Sequence, residues 1–83
     1  MDAKEQFEAI GYEMTFENEY TLTYTKKIFV SDEHQIEFYK NIKCFSSMVW
    51  SDSPFEDAKP CEVTMDELKA INQQCKELGW LDD

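Results

Sequence analysis

The sequence predicts an α+β domain in which an antiparallel, three- or four-stranded meander sheet is flanked by an N-terminal and a C-terminal helix. Three observations support this class. Apolar residues recur at helical spacing near both ends of the chain, they alternate with polar residues in the middle, and glycine or proline separates these segments. The 83 residues suffice for a single domain, residues 1–83, and the 42% of hydrophobic residues suffice for a packed core.

The first helix is predicted at the start of the chain. Asp2 and Glu5 have the spacing of a capping box, in which each side chain accepts a hydrogen bond from the other residue's backbone N–H. Gly11 is placed to end the helix. Apolar residues recur every three or four positions along one face: Ala3, Phe7 and Ile10.

From Tyr12 the hydrophobic period changes to two, which is typical of strands with one buried face. The alternating apolar residues fall into two stretches joined by a polar turn at Asn18: Tyr12, Met14 and Phe16, then Tyr20, Leu22 and Tyr24. The run 28–30 is predicted to extend the second strand across a bulge, and residues 31–33 to form a turn. A third strand begins with Ile36 and Phe38, and a turn at Lys40 leads into a fourth at 42–50.

The last third of the chain is predicted to be a loop followed by a helix. Residues 51–60 contain both prolines and no periodicity, which favours a surface loop, either ordered or partly mobile. Thr64 and Glu67 form a second capping box, and Gly79 has the position of a C-terminal cap. The apolar stripe is Leu68, Ile71, Cys75 and Leu78, with Trp80 and Leu81 folding back onto it. The predicted element order is α-β-β-β-(β)-α.

The charge of the chain is strongly negative. Eighteen Asp and Glu stand against eight Lys, with no arginine, and the net charge is −10. Direct binding to nucleic acid or to an anionic membrane would oppose this electrostatic field, so a basic protein is the natural partner. The alternative is that the charge serves solubility alone. No apolar segment reaches membrane-spanning length and the chain starts without a signal-peptide pattern, so we expect a cytoplasmic protein.

Residues for catalysis or metal binding are sparse. Cys44, Cys61 and Cys75 lack the spacing of a zinc site, and we expect reduced thiols, two of them buried. His34 is predicted to be a solvated imidazole in a turn. With one histidine, no nucleophile motif and no glycine-rich phosphate loop, the sequence predicts neither an enzyme nor a cofactor or metal site.

The distribution of acids suggests a binding surface instead. Residues 2–19 and 52–67 each contain six acids and one lysine, whereas 26–43 holds four lysines and three acids. If the acid-rich segments converge, their carboxylates would resemble the charge of a phosphate backbone. Phe55 lies between Pro54 and two acids, either as an interface anchor or tucked under the loop. The predicted partner-binding residues are Glu13, Glu17, Glu19, Asp52, Phe55, Glu56 and Asp57.

Three segments carry a resemblance to known proteins: F-E-A-I-G-Y-E at 7–13, the tyrosine-rich hairpin ending in Lys26 and Lys27, and V-T-M-D-E-L-K-A-I-N-Q-Q-C-K-E-L-G-W at 63–80. Together they resemble small, functionally uncharacterised proteins encoded by bacteriophages and prophages of low-GC Gram-positive bacteria. Phages of this kind encode acidic proteins that block host defence, anti-CRISPR proteins among them. The resemblance implies ancestry and no functional residues.

The leading hypothesis is a phage-type, non-enzymatic inhibitor that occupies the nucleic-acid-binding groove of a basic bacterial host protein by mimicking nucleic acid. The alternative is a general protein-interaction or assembly module, which could form a dimer. Its anchor would be apolar: Phe55, Trp50, Trp80 or an exposed sheet edge. A third class, a small enzyme or ligand-sequestering protein, would require a polar-lined pocket.

Overall fold

The computed structural model describes residues 1–28, 31–51 and 58–81. The elements are α1 (Ala3–Ala9), β1 (Glu13–Glu17), β2 (Thr21–Lys27), β3 (Asp32–Tyr39), β4 (Cys44–Ser51), β5 (Lys59–Pro60) and α2 (Met65–Glu77). The strands form one antiparallel sheet in the order β1-β2-β3-β4-β5. This confirms the predicted α+β meander between two helices. The short β5, from the end of the predicted loop, adds a fifth strand to the three or four expected.

Both helices begin and end where the local sequence signals predict. Asp2 caps α1 and Thr64 caps α2, and both capping boxes are complete. Gly11 and Gly79 follow the two helices with φ of 96° and 78°, a backbone region that favours glycine. The caps satisfy backbone N–H groups that have no partner within a helix, so they fix where each helix starts.

The hydrophobic core lies between one face of the sheet and the two helices. The Phe7 ring of α1 stacks on Tyr24 of β2 with 3.9 Å between ring centroids. The Tyr24 hydroxyl donates a hydrogen bond to Gln74 Oε1 of α2 at 2.7 Å, and the Ala3 backbone N–H donates to Glu77 Oε2 at 2.7 Å. The buried cluster consists of Phe7, Tyr12, Leu22, Tyr24, Ile36, Phe38, Ala70, Ile71 and Cys75. These contacts hold both helices on the same side of the sheet.

Several strand details differ from the prediction. β3 begins at Asp32, so two of the three residues predicted to form a turn, Asp32 and Glu33, are the first residues of a strand. A bulge that was not predicted lies in β1, between Met14 and Phe16. Ile28 lies just beyond β2 and is exposed, and the rest of the 28–30 run is outside the described residues. Strand register, which the local pattern does not fix, causes these differences.

The buried stripe of α2 is rotated relative to the predicted one. Leu68 is 44% exposed, and the buried residues of the helix are Glu67, Ala70, Ile71, Gln74 and Cys75. Cys61 is partly buried and Cys44 is exposed, so the prediction of two buried thiols is wrong. Within 1–28, 31–51 and 58–81, no helix combines the length and the apolar character needed to cross a membrane.

Candidate functional site

The two faces of the sheet are used differently. Both helices pack on the face that carries Leu22, Tyr24, Ile36 and Phe38. Side chains at alternating strand positions point the other way, and the described helices leave this second face uncovered. We call it the open face, and it is formed by Glu13, Thr15, Phe16, Thr21, Thr23, Thr25, Lys27, Glu33, Gln35, Glu37, Tyr39, Cys44, Ser46, Met48 and Trp50.

Aromatic rings and carboxylates are neighbours on the open face. Glu33 of β3 lies directly opposite Trp50 of β4, and Glu37 belongs to the row that includes Phe16 of β1. Phe16 is 53% exposed and Trp50 is 46% exposed. The Tyr39 hydroxyl donates a hydrogen bond to Glu37 Oε2 at 3.0 Å. Large exposed rings beside carboxylates have the composition of a protein-binding surface, in which the rings provide buried area and the charges provide selectivity.

The open face is also negatively charged. Its charged strand residues in the described chain are three glutamates and one lysine, Lys27, which gives a net charge of −2 at neutral pH. Among the described residues, Glu33 has neither a hydrogen-bond partner nor an ion-pair partner for its side chain, although Lys27 lies opposite it across the strand pair. Its charge is therefore free to interact with a cation that approaches the sheet.

The predicted acidic residues are only partly brought together. Glu13 lies on the open face, opposite Thr25. Glu17 is opposite Leu22 and so belongs to the other face, where Lys40 Nζ approaches its carboxylate at 3.1 Å. Glu19 lies in the exposed turn between β1 and β2. The bulge in β1 separates Glu13 from Glu17, because it changes which face the following residues occupy.

The other four predicted partner-binding residues, Asp52, Phe55, Glu56 and Asp57, lie outside the described residues. Trp50 was predicted as an alternative anchor, whereas Glu33 and Glu37 were not among the predicted partner-binding residues. The strict alternation of Glu33, Gln35 and Glu37 with His34, Ile36 and Phe38 is the signal that identifies them as surface positions of one strand.

A buried polar network on the helix side of the sheet was also missed. The Tyr12 hydroxyl lies 2.6 Å from His34 Nδ1 and donates a hydrogen bond to Glu67 Oε2 of α2. Ser47 Oγ of β4 lies 2.6 Å from His34 Nε2. His34 is 5% exposed, so the prediction of a solvated imidazole in a turn is wrong. The network joins β3, β4 and the residue that precedes β1 to the first turn of α2.

The hydrogen bonds fix the protons of the network. An ionised carboxylate accepts only, so Tyr12 donates to Glu67, and its oxygen then accepts from His34 Nδ1–H. The bare His34 Nε2 consequently accepts from the Ser47 hydroxyl. Glu67 Oε1 accepts from the Thr64 backbone N–H at 2.8 Å, which makes the same carboxylate part of the helix cap. Every buried side-chain polar atom in the described part of the chain has a partner.

The ionisation of the network follows from its surroundings. Burial lowers the pKa of His34, the Glu67 carboxylate acts in the opposite direction, and the Lys26 ammonium adds to the lowering. Burial alone would raise the pKa of Glu67, but hydrogen bonds from Tyr12 and Thr64, together with His34, hold it below its usual value. Burial and the adjacent Glu67 raise the pKa of Tyr12. At neutral pH the network therefore contains a neutral imidazole and an ionised carboxylate.

Three residues of the network are of the types that form a nucleophile, a base and a supporting acid in some enzymes: Ser47, His34 and Glu67. This arrangement was not predicted from the sequence. Tyr12, however, stands between the imidazole and the carboxylate, and Glu67 also caps α2. His34 and Glu67 are both 5% exposed, and no pocket opens beside them in the described structure. The geometry is that of a network that joins α2 to the sheet.

The pH dependence of folding provides a test of this network. The folded-state pKa of His34 lies below the ordinary value of about 6.5, so the folded state binds fewer protons there than the unfolded state. This stabilisation is complete above about pH 6.5 and is lost as the pH falls towards the folded-state pKa. We expect the free energy of unfolding, measured with urea, to fall between pH 6.5 and 5.5, by at most about 1 kcal/mol for one histidine.

The control for that measurement is His34→Gln, which removes the titrating group from the same position. The variant is expected to be less stable at every pH but to show a much flatter profile between pH 6.5 and 5.5. The window stays above the range in which ordinary carboxylates titrate, about pH 4. Parallel profiles for the two proteins would mean that His34 does not titrate in the way that the buried network requires.

Comparison of the chain with protein-family models, curated proteins and solved structures found no match. Among the described residues, no cluster of His, Cys, Asp and Glu has the arrangement needed to hold a metal ion. The open face is the best candidate for a functional surface, because it combines exposure, charge and large aromatic side chains.

Proposed function

We propose that this protein is a non-enzymatic binding protein whose open face docks on a basic surface of another protein. The observation that supports the proposal is the uncovered side of the sheet. There, exposed Trp50 lies beside Glu33, and exposed Phe16 shares a cross-strand row with Glu37. The apolar face of a sheet is normally covered by other elements of the fold. Aromatic rings that remain exposed on a strand surface therefore provide apolar area that a partner can bury.

Aromatic anchors and charges would contribute differently to such binding. Fully burying a large aromatic side chain typically contributes about 2 to 3 kcal/mol, and binding hot spots are enriched in tryptophan, tyrosine and arginine. The net charge of −10 would accelerate the encounter with a basic surface and make the rate depend on salt. Trp80, another anchor suggested by the sequence, packs instead with Phe38 at 6.1 Å between ring centroids.

In the finer form of the proposal, the basic surface is the nucleic-acid-binding groove of a bacterial host protein, and occupation of the groove inhibits that protein in the host cytoplasm. The support is electrostatic, since carboxylates and phosphates carry charge of the same sign and compete for the same lysine and arginine side chains. The expected resemblance to phage proteins is the reason for placing the partner in a bacterial host. Competition with duplex DNA therefore separates the finer form from binding to some other basic surface.

The experiment is a pull-down from bacterial lysate over a salt series, with captured proteins identified by mass spectrometry. The test variant is Glu33→Lys with Glu37→Lys on the open face. The matched control is Glu8→Lys with Asp66→Lys, which changes the net charge equally at exposed positions of the helices on the other side of the sheet. We expect the wild type to capture a basic protein at low salt, the test variant to reduce capture about tenfold and the control to reduce it about twofold or less.

Equal loss in both variants would show that total charge and not the open face determines binding, and would overturn the proposal. Failure to capture any basic protein at low salt would also overturn it. Displacement of the captured protein by duplex DNA would support the inhibitor form. Capture that is insensitive to DNA would mean that the open face binds a basic surface other than a nucleic-acid-binding groove.

A further inference from the structure

One end of the open face has a composition suited to a single cationic group. Trp50 and Glu33 are direct cross-strand neighbours, so their Cβ atoms are about 5 Å apart. The Trp50 ring is 46% exposed. Glu33 is partly buried, and within the described residues its side chain has no hydrogen-bond or ion-pair partner. A carboxylate that has lost part of its hydration and has no protein partner gains more from an arriving cation than a fully solvated one.

The surroundings determine the direction from which a cation reaches this carboxylate. Lys27 lies opposite Glu33 on the β2 side, and Trp50 lies opposite it on the β4 side. An incoming positive charge is repelled by Lys27 and attracted to the face of the indole. The favourable position is therefore above Trp50, with the cation in contact with both the ring and the Glu33 carboxylate.

The two common cationic side chains fit this position unequally. A guanidinium is planar, stacks on an aromatic ring and donates two parallel hydrogen bonds to a carboxylate. An ammonium is a compact and strongly hydrated charge that cannot stack in this way. The pairing of an exposed indole with an adjacent carboxylate thus favours arginine over lysine.

A second carboxylate lies along the same strand. Glu37 is four residues after Glu33 on the same face of β3, which corresponds to about 13 Å in a strand. Its carboxylate is oriented by the hydrogen bond from the Tyr39 hydroxyl at 3.0 Å. An extended peptide places residues i and i+4 on one side at the same separation, about 13 Å. The two carboxylates therefore match two cationic side chains four residues apart.

We propose that the open face recognises an extended, arginine-containing segment of its partner, with one arginine stacked on Trp50 and paired with Glu33 and a second cationic residue paired with Glu37. This inference rests on the proposed function and names the chemistry of the partner. Binding to a nucleic acid or an anionic membrane would oppose the charges of Glu13, Glu33 and Glu37.

The test uses the whole protein and a nine-residue peptide of glycine and serine with arginine at positions 3 and 7. Matched peptides carry lysine at 3 and 7, or arginine at 3 and 6. Binding is followed by NMR through the indole N–H signals of Trp50 and Trp80. We expect the Trp50 signal to shift and the Trp80 signal to stay, with the arginine 3 and 7 peptide binding at least threefold more tightly than either other peptide.

Three variants separate a specific contact from general attraction. Glu33→Gln and Trp50→Leu are each expected to weaken binding about fivefold, whereas Glu8→Gln, with the same charge change on α1, is expected to leave it within twofold. The Glu33→Gln change is nearly isosteric and exposed to solvent on one side, so its result does not depend on the fold of the Trp50 variant. Equal affinity for arginine and lysine peptides, or no effect of Glu33→Gln, would overturn the inference.

The outcome is distinguishable from failure of the proposed function. If peptides do not shift the Trp50 signal but the pull-down still depends on Glu33 and Glu37, the proposed arginine-containing segment is wrong. The proposal of a basic partner would then still stand. If peptide binding alters signals of the helices instead of the open face, both the arginine position and the proposed face are wrong.

Discussion

Replacement of Glu67 with alanine is expected to lower the free energy of unfolding by about 3 kcal/mol. The carboxylate is 5% exposed, accepts the Tyr12 hydroxyl bond with one oxygen and accepts the Thr64 backbone N–H with the other. Its removal takes away the acceptor of the buried Tyr12 hydroxyl and the acceptor of the Thr64 backbone N–H, which is half of the capping box. For a domain of 83 residues, this loss corresponds to a fall in Tm of about 15 °C.

Two controls show whether the network causes the loss. Asp66→Ala removes an exposed carboxylate from the same helical turn and is expected to cost about 0.5 kcal/mol through the helix dipole alone. Glu67→Gln retains an acceptor for Tyr12 and is expected to cost less than the alanine variant. Urea denaturation followed by circular dichroism at pH 7.5 measures all three. A Glu67→Ala cost equal to that of Asp66→Ala would contradict the hydrogen-bonded network.

The parts of the fold that the sequence predicted well are those determined by neighbouring residues. Asp2 and Thr64 cap helices because the partner N–H lies three residues further along the chain, and Gly11 permits the positive φ that ends α1. These interactions form wherever the helix forms, whatever the rest of the chain does. Alternation of apolar and polar residues likewise predicted the sheet, because its period is a property of a single strand.

The parts that the sequence predicted poorly depend on how distant residues pair. His34 was predicted to be solvated beside Asp32 and Glu33, but the register of β3 places it beside Tyr12 and Ser47, residues 22 and 13 positions away. Glu67 looked like an ordinary capping residue, yet α2 packs so that it is buried. No local pattern encodes these contacts, since a shift of one residue in register would move His34 to the other face.

The candidate site shows the same division between local and distant information. Excess negative charge and an aromatic anchor were evident in the sequence, and Trp50 was among the suggested anchors. The cross-strand pairing of Glu33 with Trp50 was not evident, because the two residues are 17 positions apart and belong to different strands. The bulge between Met14 and Phe16 also separated Glu13 from Glu17, which a uniform alternation would place on the same face.

Replacement of Phe7 with alanine is expected to lower the free energy of unfolding by about 4 kcal/mol. Phe7 is fully buried, stacks on Tyr24 at 3.9 Å between centroids and meets Phe38 edge-on at 6.2 Å. The α1 helix has only seven residues, too few for stability in isolation, so this ring is its principal attachment to the sheet. Loss of the ring removes its buried area and leaves a cavity that the flanking β2 and β3 strands cannot close.

The matched control is Phe16→Ala, the same chemical change at a ring that is 53% exposed on the open face. Because about half of this side chain remains in contact with water, its removal is expected to lower the free energy of unfolding by less than about 1 kcal/mol. Phe7→Leu, which keeps most of the volume, should fall between the two. Urea denaturation followed by circular dichroism compares the three variants. Similar losses of unfolding free energy for Phe7→Ala and Phe16→Ala would contradict both the burial of Phe7 and the exposure of Phe16. A stable Phe16→Ala protein would in turn be suitable for binding experiments, since any loss of partner binding by it could then be attributed to the surface and not to the fold.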